Sequence, residues 1–139
     1  MIILLFPSGC VLLTKVEREY LASHDICRLA TATKKGVPQV SPVMYAIDKE
    51  KIIIATDYGT IKLKNLRENP VASLVVDDYD PNRGIILRGS CNIIERGSEY
   101  IDLLQILLKR FEYYRANPWS EGEAPILEIT PNKVKSWGL

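Results

Sequence analysis

Apolar and polar positions alternate with a period of two along most of this chain, and helical spacing interrupts the alternation three times. Thr14-Lys15-Val16-Glu17 fits a capping box, and Val16, Tyr20 and Leu21 then share one helical face, which predicts a helix to about Ser23. From Cys27 the pattern is strand-like, with Leu29, Thr31 and Thr33 on one face and Arg28, Ala30 and Ala32 on the other. Lys34-Lys35-Gly36 predicts a hairpin turn into a second strand, Val37 to Ile47, which Pro38 and Pro42 make irregular or place partly at an edge. Asp48-Lys49-Glu50 turns the chain into a third strand, Lys51 to Thr56, whose apolar run Ile52-Ile53-Ile54-Ala55 reads as buried. A helix from Lys62 to Asn69 stops at Asn69-Pro70.

Val71 to Asp77 reads as a fourth strand and Ile85 to Glu95 as a fifth, with Gly89 marking a bulge or bend. Ser98 is expected to cap the longest helix, through Ile101, Leu104, Leu108 and Phe111, ending before Asn117-Pro118. Two strands close the chain, Ile126 to Thr130 and Val134 to Trp137, joined by a turn at Pro131-Asn132-Lys133. Seven strands in hairpin-like succession with three helices favour an antiparallel barrel with helices at its ends over a doubly wound parallel sheet. No repeat or linker divides the 139 residues, so residues 1–139 read as one domain, with 1–13 as an N-terminal extension.

Composition narrows the function. Hydrophobic residues make up 47% and charged residues 25%, as in a soluble globular protein. Eighteen Lys and Arg against seventeen Asp and Glu give a net charge of +1, which does not favour nucleic acid or an anionic membrane. Cys10, Cys27 and Cys91 are odd in number and form no C-x-x-C pair, so they read as small buried hydrophobes in a reducing cytoplasm. His24 is the single histidine; it rules out a His-rich metal cage and is expected to meet a helix dipole or solvent. Met1 to Phe6 is apolar but ends at Pro7-Ser8-Gly9, too short for an export or membrane segment, and reads as an extra edge strand. Asp78-Tyr79-Asp80-Pro81-Asn82 resembles the opening of a calcium loop, yet Arg83 and Gly89 stand where that loop needs glycine and glutamate.

Chemistry is concentrated at Asp57-Tyr58-Gly59-Thr60-Ile61-Lys62. A strand that breaks at glycine and turns directly into a helix leaves free N–H groups and the positive dipole end, which favour an anion such as phosphate. Thr60 can cap the helix or donate to a phosphate oxygen, and Lys62 adds a mobile charge. An ordinary Thr cap beside a solvated lysine fits the same residues.

Arg28-Leu29-Ala30-Thr31, Gly36-Val37-Pro38 and Ser41-Pro42-Val43 resemble the first hairpin of the pyridoxamine 5'-phosphate oxidase-like, FMN-binding split-barrel family. Ala55-Thr56, Thr60-Ile61-Lys62, Asn65-Leu66 and Asn69-Pro70 resemble its third strand and following helix. Ile129-Thr130-Pro131 with Val134 and Trp137 resembles its closing hairpin. The resemblance implies a six-stranded split barrel, usually a homodimer with two cofactor sites at the subunit interface. It implies that Ser41, Pro42, Val43, Met44 and Tyr45 line the flavin ring and ribityl chain, that Ala55 and Thr56 contact the cofactor, and that Thr60, Ile61 and Lys62 hold its phosphate. Trp137 matches an aromatic residue that reaches the flavin, and a substrate pocket is expected between Tyr45, Trp119 and Trp137.

The chain also departs from the family. Asn117 stands where the family places an arginine for the substrate's phosphate, and no arginine-and-histidine segment follows Trp137. The expectation is therefore a small cytoplasmic FMN-binding oxidoreductase acting on a small organic molecule other than a vitamin B6 phosphate. A deazaflavin (F420)-dependent reductase and a non-catalytic flavin-binding protein are the alternatives. Haem ligation by histidine is disfavoured with only His24 available.

Overall fold

A computed structural model describes residues 11–139. The readings for Met1 to Phe6 and Cys10 lie outside the described residues. The elements run α1 (Lys15–Ala22), β1 (Ile26–Ala32), β2 (Pro38–Met44), β3 (Ala46–Asp48), β4 (Lys51–Ala55), α2 (Ile61–Glu68), β5 (Val71–Asp78), β6 (Arg83–Ile94), α3 (Ser98–Arg110), α4 (Glu112–Ala116) and β7 (Ile126–Trp137).

The strands form one antiparallel sheet in the order β2-β1-β5-β6-β7-β4-β3. Its two edge strands, β2 and β3, are consecutive pieces of chain separated only by Tyr45. A sheet whose first and last strands adjoin must curl round, and the result is a split barrel. The expected single strand from Val37 to Ile47 is thus two strands serving opposite edges: β2 pairs with β1 and β3 with β4. Tyr45 fixes the bend. Its side chain is buried, its hydroxyl donates to the Leu21 carbonyl, and its N–H donates to the Asp25 carbonyl at 3.1 Å.

The closing strands also differ from the expectation. β7 runs unbroken against β6, and the register steps from Arg88 opposite Lys133 to Gly89 opposite Pro131, leaving Asn132 as a bulge rather than part of a turn. A Cβ on Gly89 would lie 2.0 Å from the Thr130 oxygen, so only glycine admits this approach.

Two apolar clusters lie on either side of the sheet. The barrel interior holds Leu29, Ile52, Ile54, Leu74, Leu87, Leu127 and Ile129, with Tyr20 and Leu21 of α1 and Leu63 and Leu66 of α2 closing its ends. The second cluster packs α3 on the outside, through Tyr100, Leu103, Leu104 and Leu107 against Ala46, Ile53 and Ile126. β4 therefore buries both faces, which explains its unbroken run of isoleucines. Cys27 and Cys91 are buried thiols, pushed up to about 12 by burial.

Thr14 forms its capping box with Glu17, and Thr60 caps α2. Ser98 does not cap α3. The cap position is Gly97, at a φ of 95°, whose N–H donates to Glu121 Oε1 at 2.8 Å. The long helix breaks at Phe111, extended and buried, before α4 begins. Arg115 of α4 donates to the Leu108 and Lys109 carbonyls at 2.6 and 2.8 Å, replacing the helical partners that α3 lacks at its end.

Candidate functional site

A cavity of about 690 Å³ opens where the ends of β2 and β4, the start of α2, α4 and the segment 119–124 converge. Seven of the residues singled out in the sequence line it: Pro42, Val43, Met44, Ala55, Thr56, Thr60 and Lys62. They meet because β2 and β4 end at the same rim of the curled sheet and α2 starts directly beyond β4.

At the α2 end, Thr60 Oγ1 accepts from the Leu63 N–H at 3.4 Å and donates to the Asp57 carbonyl at 3.2 Å. Thr56 Oγ1 lies 3.4 Å from Thr60 Oγ1. The amides of Ile61 and Lys62 fall in the first turn, where a helix offers no acceptor, so they remain free to bind an anion. Lys62 lines the cavity and makes no ion pair among the described residues. The nearby Arg67 is committed elsewhere: its Nη2 donates to Glu95 Oε1 at 2.9 Å, as does the Tyr58 hydroxyl. Those two bonds, Arg67 first, hold the Glu95 carboxyl below its ordinary range and tie the Tyr58-Gly59 turn to the end of β6. Asn65 Nδ2 donates to Thr31 Oγ1 at 3.1 Å in the interior, anchoring α2 on β1.

The opposite wall is aromatic and was only partly anticipated. Tyr113, Tyr114, Asn117, Trp119, Glu123 and Ala124 line it, with Ile26 and Asp57 completing the rim. Tyr114 stands edge-on to Trp119, centroids 4.9 Å apart at 83°. Trp119 Nε1 donates to the Tyr100 hydroxyl at 2.7 Å, and that hydroxyl donates to the Ala124 carbonyl. Burial, more than any charge, raises the pKa of both Tyr100 and Tyr114, so these phenols stay neutral. The dense aromatic spacing Tyr113-Tyr114 and Trp119 was the signal available in the sequence.

Four of the singled-out residues do not line this cavity. Ser41 lies on β2 opposite Leu29, its Oγ buried and without a hydrogen-bond partner. The Ile61 side chain points to solvent, 61% exposed. Tyr45 belongs to the barrel core, because its hydroxyl is held by the end of α1. Trp137 lies across Gly84, whose added Cβ would come within 2.4 Å of its ring, and its Nε1 donates to Asn82 Oδ1 at 3.1 Å. Of the expected substrate-pocket boundary, only Trp119 is present in this cavity. Asn117 also faces it, its Nδ2 donating to the Tyr113 carbonyl at 2.9 Å.

His24 lies outside the cavity. Its Nε2 is 2.9 Å from Asp78 Oδ1, and its Nδ1 is 3.0 Å from the Tyr20 carbonyl at the end of α1. It is thus paired with a carboxylate and not left to solvent. Among the described residues no group of three or more His, Cys, Asp and Glu could hold a metal ion, and no helix is long and apolar enough to cross a membrane.

A family model described as pyridoxamine 5'-phosphate oxidase matches residues 13–138. A 5a,11a-dehydrotetracycline/5a,11a-dehydrooxytetracycline reductase of Streptomyces rimosus is 27% identical, over 91% of this chain and 83% of its own length. A conserved hypothetical protein from Mycobacterium tuberculosis superposes with a TM-score of 0.76 at 21% identity, covering 94% of this chain and 88% of that one. The haem storage protein of Vibrio cholerae gives 0.75 at 15% identity, covering 90% and 94%. An F420 reductase gives 0.67 at 23%, covering 88% and 98%. At these identities the structural likenesses establish the fold.

Proposed function

The chain belongs to the pyridoxamine 5'-phosphate oxidase family, and on that premise we propose that its cavity binds FMN for oxidation or reduction of a small organic molecule. The observation that carries this reading is the opposition of two ends within one cavity. One end is a helix start with free amides, Thr60 and an unpaired Lys62; the other is the apolar surface of Pro42, Val43, Met44 and Ala55, which the aromatic wall faces across the cavity. A phosphate on a long polar stem with a flat ring at its far end matches that polarity.

FMN, when bound, supplies hydride-transfer chemistry. The protein's residues bind and orient. Lys62 places its ammonium against the phosphate, Thr60 holds the turn in shape, and Pro42, Val43, Met44 and Ala55 offer apolar surface to the ring. The reading does not extend to a vitamin B6 phosphate, because the Asn117 amide is a poor substitute for a guanidinium fork.

A deazaflavin of the F420 type is a second reading. It is favoured by the similarity to the F420 reductase, and it would use the same phosphate end. Haem-binding relatives share the fold, but this chain's one histidine is not among the cavity residues. We also propose a homodimer. The outer face of β2, β1, β5 and β6 leaves Val40, Ile26, Val71 and Ile86 between 40% and 64% exposed, and Ile26 also lines the cavity rim.

The test is a titration of FMN against riboflavin. Lys62→Ala should weaken FMN by about 1.5–3 kcal/mol, the range for a hydrogen bond to a charged group, and leave riboflavin unchanged. Equal loss for both ligands would remove the phosphate from this end of the cavity. Tighter binding of the deazaflavin coenzyme than of FMN by the unsubstituted protein would favour the second reading.

A further inference from the structure

Charge is unevenly distributed along the cavity. Among the described residues Lys62 is the one cation that lines it, and it sits at the helix end that the proposed cofactor phosphate would neutralise. The remaining charged residues of the lining are Asp57 and Glu123, and neither makes an ion pair among the described residues. Both act on the aromatic wall. Burial raises the Tyr114 pKa, with Tyr113 and then Asp57 adding to it, and burial raises that of Tyr100, the hydroxyl that accepts from Trp119, with Glu121 and then Glu123 adding to it. Trp119 and both carboxylates line the same cavity, so a cation bound there gains from the ring's negative face and from direct charge attraction. An anion there meets repulsion from both carboxylates, with only neutral donors, the Asn117 amide and the Tyr113 and Tyr114 hydroxyls, to offset it.

We propose that the aromatic end of the cavity takes a flat ring system bearing a positive charge, with Trp119 as its platform and Glu123 and Asp57 selecting its sign. This deepens the cofactor reading and rests on it, since an occupied phosphate end is what leaves the remaining cavity acidic. Glu123 is a specificity residue, because it discriminates by charge and leaves shape to the aromatic wall.

The experiment is calorimetric titration at pH 8 of three ligands sharing one skeleton: 9-aminoacridine as the cation, acridine as the neutral ring and acridine-9-carboxylate as the anion. Each is titrated into FMN-loaded and FMN-free protein. In the loaded protein the cation should bind on the order of tenfold or more tighter than the anion, one per chain. Glu123→Gln should shrink that ratio severalfold while leaving acridine unchanged, and Trp119→Leu should weaken the cation more than acridine. Without FMN the unpaired Lys62 should narrow the preference. Failure of FMN to bind would show in its own titration and count against the cofactor reading; the charge preference is then judged in the FMN-free protein with Lys62→Ala. Equal or tighter binding of the anion, an unchanged ratio in Glu123→Gln, or binding of none of the three would overturn the proposal.

Discussion

Gly89 shows how much one side chain can decide. Its Cα faces the Thr130–Pro131 backbone so closely that a methyl group would fall 2.0 Å from the Thr130 oxygen and 2.9 Å from the Pro131 Cα. Backbone on both sides cannot yield as a flexible side chain would, so Gly89→Ala must shift β6 or β7. Overpacking of this kind costs about 1–3 kcal/mol or more, which for a domain of this size lowers Tm by roughly 4–12 °C. Thermal unfolding followed by circular dichroism reads this directly, and an unchanged Tm would show that the strands cross less tightly. Gly89 was recognisable in the sequence as a bulge position. The bulged residue across from it, Asn132, was not, because Pro-Asn-Lys carries the same composition in a turn and in a bulge.

Among the elements, α1 meets the β5–β6 connection around one carboxylate, with the Tyr20 hydroxyl also donating to the Arg83 carbonyl at 3.3 Å. Asp78 receives His24 Nε2 at 2.9 Å, Arg83 Nε at 2.8 Å and the Tyr20 hydroxyl at 3.1 Å. These bonds, with His24 and then Arg83 the strongest, lower its pKa from the ordinary 3.8 to about 2. Between those two values the unfolded chain binds a proton that the folded protein refuses. This contribution to stability is therefore complete above about pH 4 and lost as pH falls toward 2. Asp78→Asn should be less stable at pH 7 and should show a shallower fall in Tm between pH 4 and pH 2. Parallel acid limbs in the two proteins would mean that Asp78 is not held this way. The Asp78-to-Asn82 segment was read from sequence as a polar loop between strands, which it is from Tyr79 onward; the convergence of His24, Tyr20 and Arg83 on Asp78 was not readable. Those partners stand 54, 58 and 5 positions away along the chain.

For the whole molecule, the exposed apolar face of β2, β1, β5 and β6 is the feature that calls for a partner. Two copies joined through it would cover Val40 and Val71 and bring a second chain beside the cavity rim at Ile26. Light scattering at micromolar concentration should give twice the chain mass, 31.4 kDa from two chains of 15.7 kDa. Val40→Lys, at a side chain 64% exposed and hence harmless to the fold, should shift the population to 15.7 kDa. A monomer in the unsubstituted protein would refute the dimer.

The sequence by itself determined the class of fold, nearly every strand, both capped helix starts and the strand-to-helix turn at Thr60 to Lys62. Each of these is written in local periodicity, capping chemistry or the residues around one glycine, all within a few positions of chain. Tertiary structure alone decided the rest. The split of Val37 to Ile47 into two edge strands follows from the curl of the sheet, and with it Tyr45 goes to the core. The break at Phe111 follows from its burial under the sheet's second face and from Arg115 reaching back to α3, and it turns Tyr113 and Tyr114 toward the cavity. The aromatic wall with Glu123 forms because α4 and the segment before β7 are brought against the ends of β2 and β4, and Trp137 is drawn to Gly84 instead. Contacts between residues tens of positions apart depend on how the whole sheet closes, and no local pattern of residue types encodes that closure.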